Sequence, residues 1–246
     1  AYEICACLVG SEMCIRDSAN GFFIVVPEWR NFFEASDKRR DVAICTYRYT
    51  WNGTKKEHVK EERSAGSWYV GKWRREWMPK ESWNKNINYA DVNYCPLRYA
   101  DVVLMAAEAY NEIGNTPEAW RLLNEVRHRA GATETNSLQA YKTAQPNLYE
   151  LPYFNSGDEA DNFRTALYWE RGFELAFEGQ RKYDLLRWGI LGDALKLFQS
   201  KMDKSLKGKY VAGDKFIKGK HELFPIPLGE LQANPALKNQ NNPGYE

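Results

Sequence analysis

The sequence predicts an all-α fold of helical hairpins, with long irregular loops and one small β-hairpin. Apolar residues recur at helical spacing through much of the chain after residue 95, and an alternating stretch that ends in Asn-Gly precedes them. The segments between these patterns show no sustained period. Residues 96–246 are therefore expected to form a helical core with a wrapping tail, and residues 19–95 irregular loops around the hairpin.

The hairpin is predicted from residues 45–51, where polar and apolar side chains alternate in the order CTYRYTW. Alternation of this kind is typical of a strand with one buried face. Asn52 and Gly53 follow directly, and Asn-Gly favours a tight turn between antiparallel strands. The return strand is expected before Glu62.

Two helices are predicted after Pro96. The apolar positions of the first are Tyr99, Val102, Val103, Ala106, Tyr110 and Ile113. Gly114 favours a helix end, and Thr116 as N-cap with Pro117 at the first helical position begins the second helix. Gly131 ends it. The face expected in the core carries Trp120, Leu123 and Val126.

A loop and a second helix pair follow. Residues 132–158 are rich in Ser, Thr, Gln, Pro and Asn, which favours a long ordered loop packed over the helices. Helical spacing then runs through Phe163, Ala166, Leu167, Glu170, Phe173, Glu174 and Phe177, breaks at Gly179, and resumes through Leu185, Leu186, Trp188, Leu191, Leu195 and Phe198. Trp188, like Trp120, is expected in the core. The tail after Lys201 is expected to be extended.

The two helix pairs are similar to tetratricopeptide repeats, with small Ala positions between bulky ones. Such arrays need about three units for a continuous core. Part of the array is therefore expected to lie outside this chain.

Composition excludes several function classes. The chain has 34 Lys and Arg against 33 Asp and Glu, so no large field of one sign attracts nucleic acid. The five Cys and three His lack the spacing of a zinc site, and no run of about 18 apolar residues predicts a membrane span. We expect no metal and no cofactor.

Residues 1–18 look foreign to the rest of the chain. They show neither the pattern of a signal peptide nor an amphipathic period, and CLVGSEMCIRDS resembles a translated sequencing adaptor. We expect this segment to be non-native, and its cysteines not to be a lipid anchor.

Four stretches together carry a family resemblance. They are RYADVVLMAAEA at 98–109, LNEVRHRAG at 123–131, ERGFELAFEGQR at 170–181 with DLLRW at 184–188, and LFPIP at 223–227 with NNPGY at 241–245. In this order they resemble the C-terminal region of SusD/RagB proteins, and DKRR at 37–40 and GKWRRE at 71–76 extend the resemblance.

The resemblance implies a lipoprotein of the Bacteroidetes outer membrane that captures oligosaccharide, or in some branches peptide. It also implies a SusC-like, TonB-dependent transporter as partner, which the protein caps as a hinged lid, and it implies no catalysis. The alternatives are a peptide-binding member of the same family and a helical-repeat scaffold that binds only proteins, with its aromatic rings buried.

The most acidic helix face offers a further alternative. Glu170, Glu174 and Glu178 lie four residues apart on one predicted helix face, a cluster of carboxylates that would suit general acid/base catalysis of the glycosidase kind. Interleaved Glu and Arg more often form structural ion pairs. The charged residues within helical or turn reach of these glutamates are Arg171, Arg181, Arg187 and Asp184. Structural pairing is the preferred interpretation.

Ligand binding is instead predicted for aromatic side chains of the irregular segment, which are Tyr47, Tyr49, Trp51, Trp68, Trp73, Trp77 and Trp83. Flat rings stack on sugar faces, and hydrogen-bonding groups lie close by in sequence at Asn52, Lys72, Arg74, Asn84 and Asn86. Most of these rings are expected to pack the loops onto the helices, and at least one is expected to contact ligand.

Overall fold

The structure, a computed structural model, describes residues 24–77, 95–202, 210–237 and 240–245. Elements within these ranges are α1 Pro27–Phe32, α2 Arg39–Ala43, β1 Ile44–Cys45, β2 Tyr47–Asn52, β3 Glu57–Glu62, β4 Tyr69–Val70, α3 Tyr99–Glu112, α4 Thr116–Ala130, α5 Leu138–Ala144, α6 Glu159–Glu174, α7 Arg181–Arg187, α8 Leu191–Lys201, α9 Ala212–Lys215 and α10 Leu228–Ala233. Short 3-10 turns span Ala65–Ser67, Arg75–Trp77 and Pro235–Leu237. The predicted all-α fold with a small β-hairpin is confirmed. The residues divide into two compact units at residue 181.

The core of the first unit lies where α3, α4 and α6 pack against one another. Leu104 of α3, Leu123 of α4 and Phe163 of α6 are each fully buried there. Trp120 meets the Phe163 ring edge-on with centroids 5.1 Å apart, as its predicted place in the core requires. The predicted antiparallel pair of α3 and α4 is confirmed.

The amino-terminal helix α1 adds an aromatic layer to α6. Phe33 lies 4.5 Å from Phe173, and Phe32 lies 5.4 Å from Trp169, measured between ring centroids. Trp29 completes the layer at 5.3 Å from Phe173. Burial of large rings contributes strongly to core stability, so this layer fixes residues 24–77 onto the helices.

The predicted face of α3 is correct at Val103, which is buried, but wrong at most other positions, and Val102 and Tyr110 are exposed. Tyr99 and Ile113 are 73% and 77% exposed, whereas the buried side is formed by Ala100, Asp101, Val103, Leu104, Ala107 and Asn111. Small residues let α3 approach α4 and α6 closely, and the buried polar groups find partners there. Asn111 donates to the Ala160 carbonyl and accepts from the Thr116 hydroxyl.

Two boundary predictions need correction. Asn115, rather than Thr116, is the N-cap of α4, since its side chain accepts from the Glu118 amide. Residues 132–158 are not all loop, because Ser137 caps a helix, α5, whose Tyr141 is fully buried. A helix of seven residues is too short to show a clear period in sequence.

Gly131 ends α4 in the left-handed region, with φ of 76°. A methyl group there would also lie 3.3 Å from the Ser36 carbonyl oxygen. We therefore expect Gly131→Ala to lower the free energy of unfolding by about 1–2 kcal/mol in urea titrations, because left-handed backbone disfavours Cβ. Gly66→Ala is the matched control, since its added methyl meets no atom within 4 Å and no destabilisation is expected. Equal losses in both variants would contradict this account.

The hairpin forms in the predicted place with a longer turn. Tyr47 pairs with Glu62 and Asn52 pairs with Glu57, which leaves four residues, 53–56, in the turn rather than a two-residue Asn-Gly turn. The Asn52 side-chain oxygen accepts from the amides of Thr54 and Lys55, so it caps the wider turn. Strands β1 and β4 form a second, two-stranded antiparallel sheet that the sequence did not predict.

The second unit contains α8 packed against α9 and a tail with its own contacts. Gly189, with φ of 70°, separates α7 from α8, so the helix predicted to continue through residue 198 is broken there. Trp188 lies at this break and is half-buried, which corrects its predicted place in the core.

The tail is not simply extended, since α9 and α10 are helical. Its two sequence motifs, LFPIP at 223–227 and NNPGY at 241–245, form hydrogen bonds with each other. Asn242 donates to the Phe224 carbonyl over 2.7 Å, Asn241 accepts from the Ile226 amide, and the Tyr245 hydroxyl donates to the Leu223 carbonyl.

Candidate functional site

One face of the β-hairpin carries three of the predicted ligand-binding rings. Tyr47, Tyr49 and Trp51 occupy alternate positions of β2, so their side chains lie on the same face. Trp51 is 57% exposed and meets the His58 ring of β3 at 5.2 Å. The Lys60 ammonium lies 3.7 Å from the Tyr47 ring centroid. In this aromatic face, defined by residues 47, 49, 51, 58 and 60, Tyr47 is buried and Tyr49 is half-buried, so Trp51 is the exposed ring that could take a flat ligand.

The buried end of the aromatic face is fixed by Glu76. Its two carboxylate oxygens accept hydrogen bonds from the hydroxyls of Tyr47 and Tyr49, the latter over 3.0 Å. Burial, and then the hydrogen bond to Glu76, raises the pKa of Tyr47 above its ordinary value, so the phenol remains a donor. Both tyrosine hydroxyls therefore position the hairpin.

Arg74 links this end of the face to a second exposed ring. Its guanidinium donates to the Tyr47 hydroxyl over 3.1 Å and to the Ile44 carbonyl over 3.0 Å. It also lies 5.2 Å from the Trp77 ring centroid, and Trp77 is 54% exposed. Trp77 is thus held from one side by a cation while more than half of it stays open to solvent.

The remaining predicted residues lie elsewhere. Trp68 is half-buried, donates from its indole nitrogen to the Arg63 carbonyl, and has Arg30 over its ring at 5.7 Å. Trp73 is half-buried and lines a separate cleft. Trp83, Asn84 and Asn86 lie outside the described residues.

The cleft beside Trp73 has a volume of about 310 Å³. Its lining residues are Arg39, Val42, Lys72, Trp73, Cys95, Arg98, Arg129, Glu174 and Glu178. They come from segments far apart in sequence, and only Trp73 and Lys72 were considered as binding residues from the sequence. No local pattern joins the others, because long-range packing brings them together.

The floor of this cleft belongs to a buried ion-pair network centred on Glu170. This carboxylate accepts from Arg39 over 2.6 Å, Arg127 over 2.9 Å and the Tyr141 hydroxyl over 3.1 Å. Burial raises the pKa of Glu170, but the attraction of Arg39 and Arg127 outweighs it and the pKa is lowered. Glu170 therefore stays ionised.

The neighbouring acids extend the network. Glu174 binds Arg98 and Arg129, each at 2.5 Å, and Arg39 at 3.1 Å. Glu178 binds Arg98 at 2.6 Å and also pairs with Lys72. Structural pairing is thus the role of these carboxylates, and it holds α6 to residues 37–40, 72, 98 and 127–129.

The charged residues that the sequence placed within reach of these acids make contacts elsewhere. Arg171 pairs with Asp101 at 2.9 Å and Arg187 with Asp184 at 3.0 Å, while Arg181 donates to the Tyr168 carbonyl. On a helix, a residue one position along points to a different side, so Arg171 cannot share the glutamate face. Glu178 also lies beyond the end of α6.

This arrangement contradicts the glycosidase alternative. A hydrolytic pair needs two carboxyl groups facing each other across a cleft, with a raised pKa on the acid. Glu170 and Glu174 are instead buried and bound by arginines, and the pKa of each is lowered.

Within the described residues, no cluster of three or more His, Cys, Asp or Glu is arranged to hold a metal ion. Among the helices in the described ranges, none combines the length and the hydropathy of a membrane span.

Several of the motifs that suggested a resemblance supply residues to this network, and the comparison with known proteins agrees with the resemblance. The model of the SusD family matches residues 23–245, nearly the whole chain. The chain belongs to the SusD family. SusD-like proteins are binding proteins rather than enzymes, which confirms the expectation of no catalysis at the level of the family.

Individual relatives come from Bacteroidetes. SusD-like protein P25 of Formosa agariphila is 37% identical over 171 residues, which cover 66% of this chain and 28% of that protein. SusD-like protein P2 of the same organism is 29% identical over 244 residues, covering 94% of this chain and 42% of that protein. The chain thus spans less than half the length of either relative.

A solved SusD homolog shares the fold. The crystal structure of a SusD homolog from Bacteroides thetaiotaomicron superposes with a TM-score of 0.64 at 30% identity, covering 88% of this chain and 42% of that one. Buried charge pairing and tail contacts involve residues of the SusD-family motifs, whereas the exposed rings Trp51 and Trp77 lie outside the four main motifs.

Proposed function

We propose that this SusD-family chain is part of a cell-surface protein that binds a glycan through exposed aromatic rings. The observation that carries the proposal is the exposure of Trp51 and Trp77, at 57% and 54%, on a firmly held hairpin and turn. Large rings are buried on average, and an indole held in place with more than half of its surface exposed offers a flat apolar face to a ligand. Their family context favours a nutrient as that partner.

The geometry suits stacking. Tyr47 and Tyr49 are tied to Glu76, and Arg74 binds both Tyr47 and the backbone of residue 44, so the support under the rings is rigid. A rigid, exposed indole loses little conformational entropy when a sugar ring lies against it. Residues 19–95 are accordingly proposed as the ligand-facing region, and residues 96–246 as the helical scaffold.

Membership of the SusD family extends the proposal to the whole protein. We propose that the full-length protein is a lipid-anchored outer-membrane protein that delivers oligosaccharide to a SusC-like, TonB-dependent transporter. Capture by stacking requires no cofactor. The exposure of Trp51 and Trp77 counts against a pure protein-binding scaffold, for which buried rings are expected.

The test is calorimetric titration of the chain with a panel of oligosaccharides and peptides. Trp51→Ala and Trp77→Ala are each expected to weaken binding of the best glycan by about tenfold, equivalent to about 1.4 kcal/mol. Tyr99→Ala is the matched control, because Tyr99 is an exposed ring on α3 outside the aromatic face. Its affinity and melting temperature are expected to match those of the unmodified chain.

Three results would overturn the proposal. Peptide binding without glycan binding would favour the peptide-binding alternative. Glycan binding that survives both tryptophan substitutions would remove the aromatic face from the site. Absence of any binding would favour a scaffold role.

A further inference from the structure

The cleft beside Trp73 offers hydrogen-bond donors while its acceptors are already occupied. Both oxygens of Glu174 accept from arginines, Oε1 from Arg98 and Oε2 from Arg39 and Arg129. Both oxygens of Glu178 accept from Arg98, and one of them also from Lys72. A ligand entering the cleft therefore finds no carboxylate oxygen without a cationic partner.

The free donors belong chiefly to Arg129. Its side chain is 58% exposed, and it reaches Glu174 through Nη2 alone, over 2.5 Å. The Nε and Nη1 groups have no hydrogen-bond partner within the described part of the chain. Lys72 adds a further N–H, because an ammonium carries three donors and two are used, on the Glu174 carbonyl and Glu178.

Two apolar side chains also line the cleft. They are Trp73 and Val42, and Trp73 is half-buried. An indole beside a guanidinium is a combination that recognises a ring bearing an anionic group, since the ring stacks and the anion takes charge-assisted hydrogen bonds. The volume of about 310 Å³ suits one sugar ring.

We propose that this cleft binds the carboxylate-bearing ring of an acidic saccharide, with Arg129 and Lys72 on the carboxylate and Trp73 against the ring. The proposal rests on the proposed function, because it names the class of glycan that the protein captures. The charge network supports the preference for an anion. A neutral sugar offers the same cationic donors only hydroxyl oxygens, so it lacks the charge–charge attraction and the paired acceptor oxygens that a carboxylate brings.

The experiment compares glucuronate with glucose, which differ in a carboxylate at C6, by calorimetric titration of the whole chain. Glucuronate is expected to bind at least about tenfold more tightly than glucose. Arg129→Gln is expected to abolish this ratio, and Trp73→Ala to weaken both sugars alike. Arg121→Gln is the matched control, since Arg121 is an exposed arginine on the same helix that pairs with Glu118. Circular dichroism melting shows whether each variant is folded.

Each other outcome overturns the inference. Equal affinities for the two sugars, or a ratio that survives Arg129→Gln, removes the carboxylate site. Binding of N-acetyl-glutamate amide as tight as that of glucuronate assigns the cleft to acidic peptides. Suppose that neutral oligosaccharides bind, that Trp51→Ala abolishes their binding, and that glucuronate and glucose bind with equal affinity. Then only this inference fails. If no saccharide binds at all, the proposed function fails with it.

Discussion

Replacing Glu170 with glutamine is expected to lower the free energy of unfolding by about 3–5 kcal/mol, the loss typical of breaking a buried charge pair. Glu170 is fully buried and receives hydrogen bonds from two arginines and a tyrosine. Glutamine keeps the volume but removes the charge, and its NH2 group replaces one acceptor with a donor. Arg39 and Arg127 then remain buried beside a neutral group.

Urea unfolding followed by circular dichroism measures this loss. Glu118→Gln is the matched control, because Glu118 pairs with Arg121 on the exposed side of α4, and no measurable change is expected there. A loss for Glu170→Gln no larger than that of the control would show that the network contributes nothing to folding. Binding to the aromatic face is expected to persist in whatever fraction of the variant remains folded, since Glu170 contacts none of its residues.

The positions of the helices follow from the sequence because local signals agree. Periodic apolar residues, Gly114 and Gly131 at helix ends and Pro117 in the first turn indicate where α3 and α4 begin and end, although the N-cap is Asn115 rather than the predicted Thr116. The sequence does not determine which face of α3 is buried. Apolar residues occur on two sides of this helix, and the buried side is the one with small residues that allow close packing, which depends on α4 and α6.

The network was only partly predictable for a similar reason. Pairing of the α6 glutamates with arginines follows from their interleaving in sequence, but the partners lie up to 135 residues away. Sequence spacing favours Arg171, yet helix geometry turns it toward Asp101. The family motifs DKRR, LNEVRHRAG and ERGFELAFEGQR are recognisable as a set because each supplies charges to one buried cluster.

For the candidate site, the sequence shows which residues are aromatic but not which of them are exposed. The aromatic segment is visible in composition, and the alternation along β2 predicts that Tyr47, Tyr49 and Trp51 share a face. Which rings are exposed depends on Glu76 and Arg74, whose hydrogen bonds join residues 27 to 33 positions apart, and composition carries no information on these contacts. Arg98 and Arg129 belong to the family motifs of the sequence, but the sequence did not predict that they line a cleft.

Acidification is expected to destabilise the protein, and protonation of Glu174 is expected to account for part of the loss. Burial raises the pKa of this carboxyl, but Arg39, Arg98 and Arg129 outweigh it and lower the pKa from 4.5 to about 2. In the unfolded chain the group takes up a proton near pH 4.3, whereas the folded protein resists protonation until about pH 2. The unfolded state therefore binds more protons in this window, and stability falls as the pH is lowered through it.

The size of this contribution is about 3 kcal/mol, since one pKa unit corresponds to about 1.4 kcal/mol. It is fully present above about pH 5 and lost by about pH 2. Glu174→Gln removes the titrating group, so its free energy of unfolding is expected to fall less steeply between these pH values, by about that amount in total. Glu125→Gln is the control, because Glu125 is partly exposed and 3.9 Å from Arg121, and it is expected to keep the slope of the unmodified chain. Parallel slopes for all three proteins in urea titrations from pH 7 to pH 2 would show that Glu174 is not held ionised by its three arginines, and would weaken the case that the cleft's acceptors are occupied.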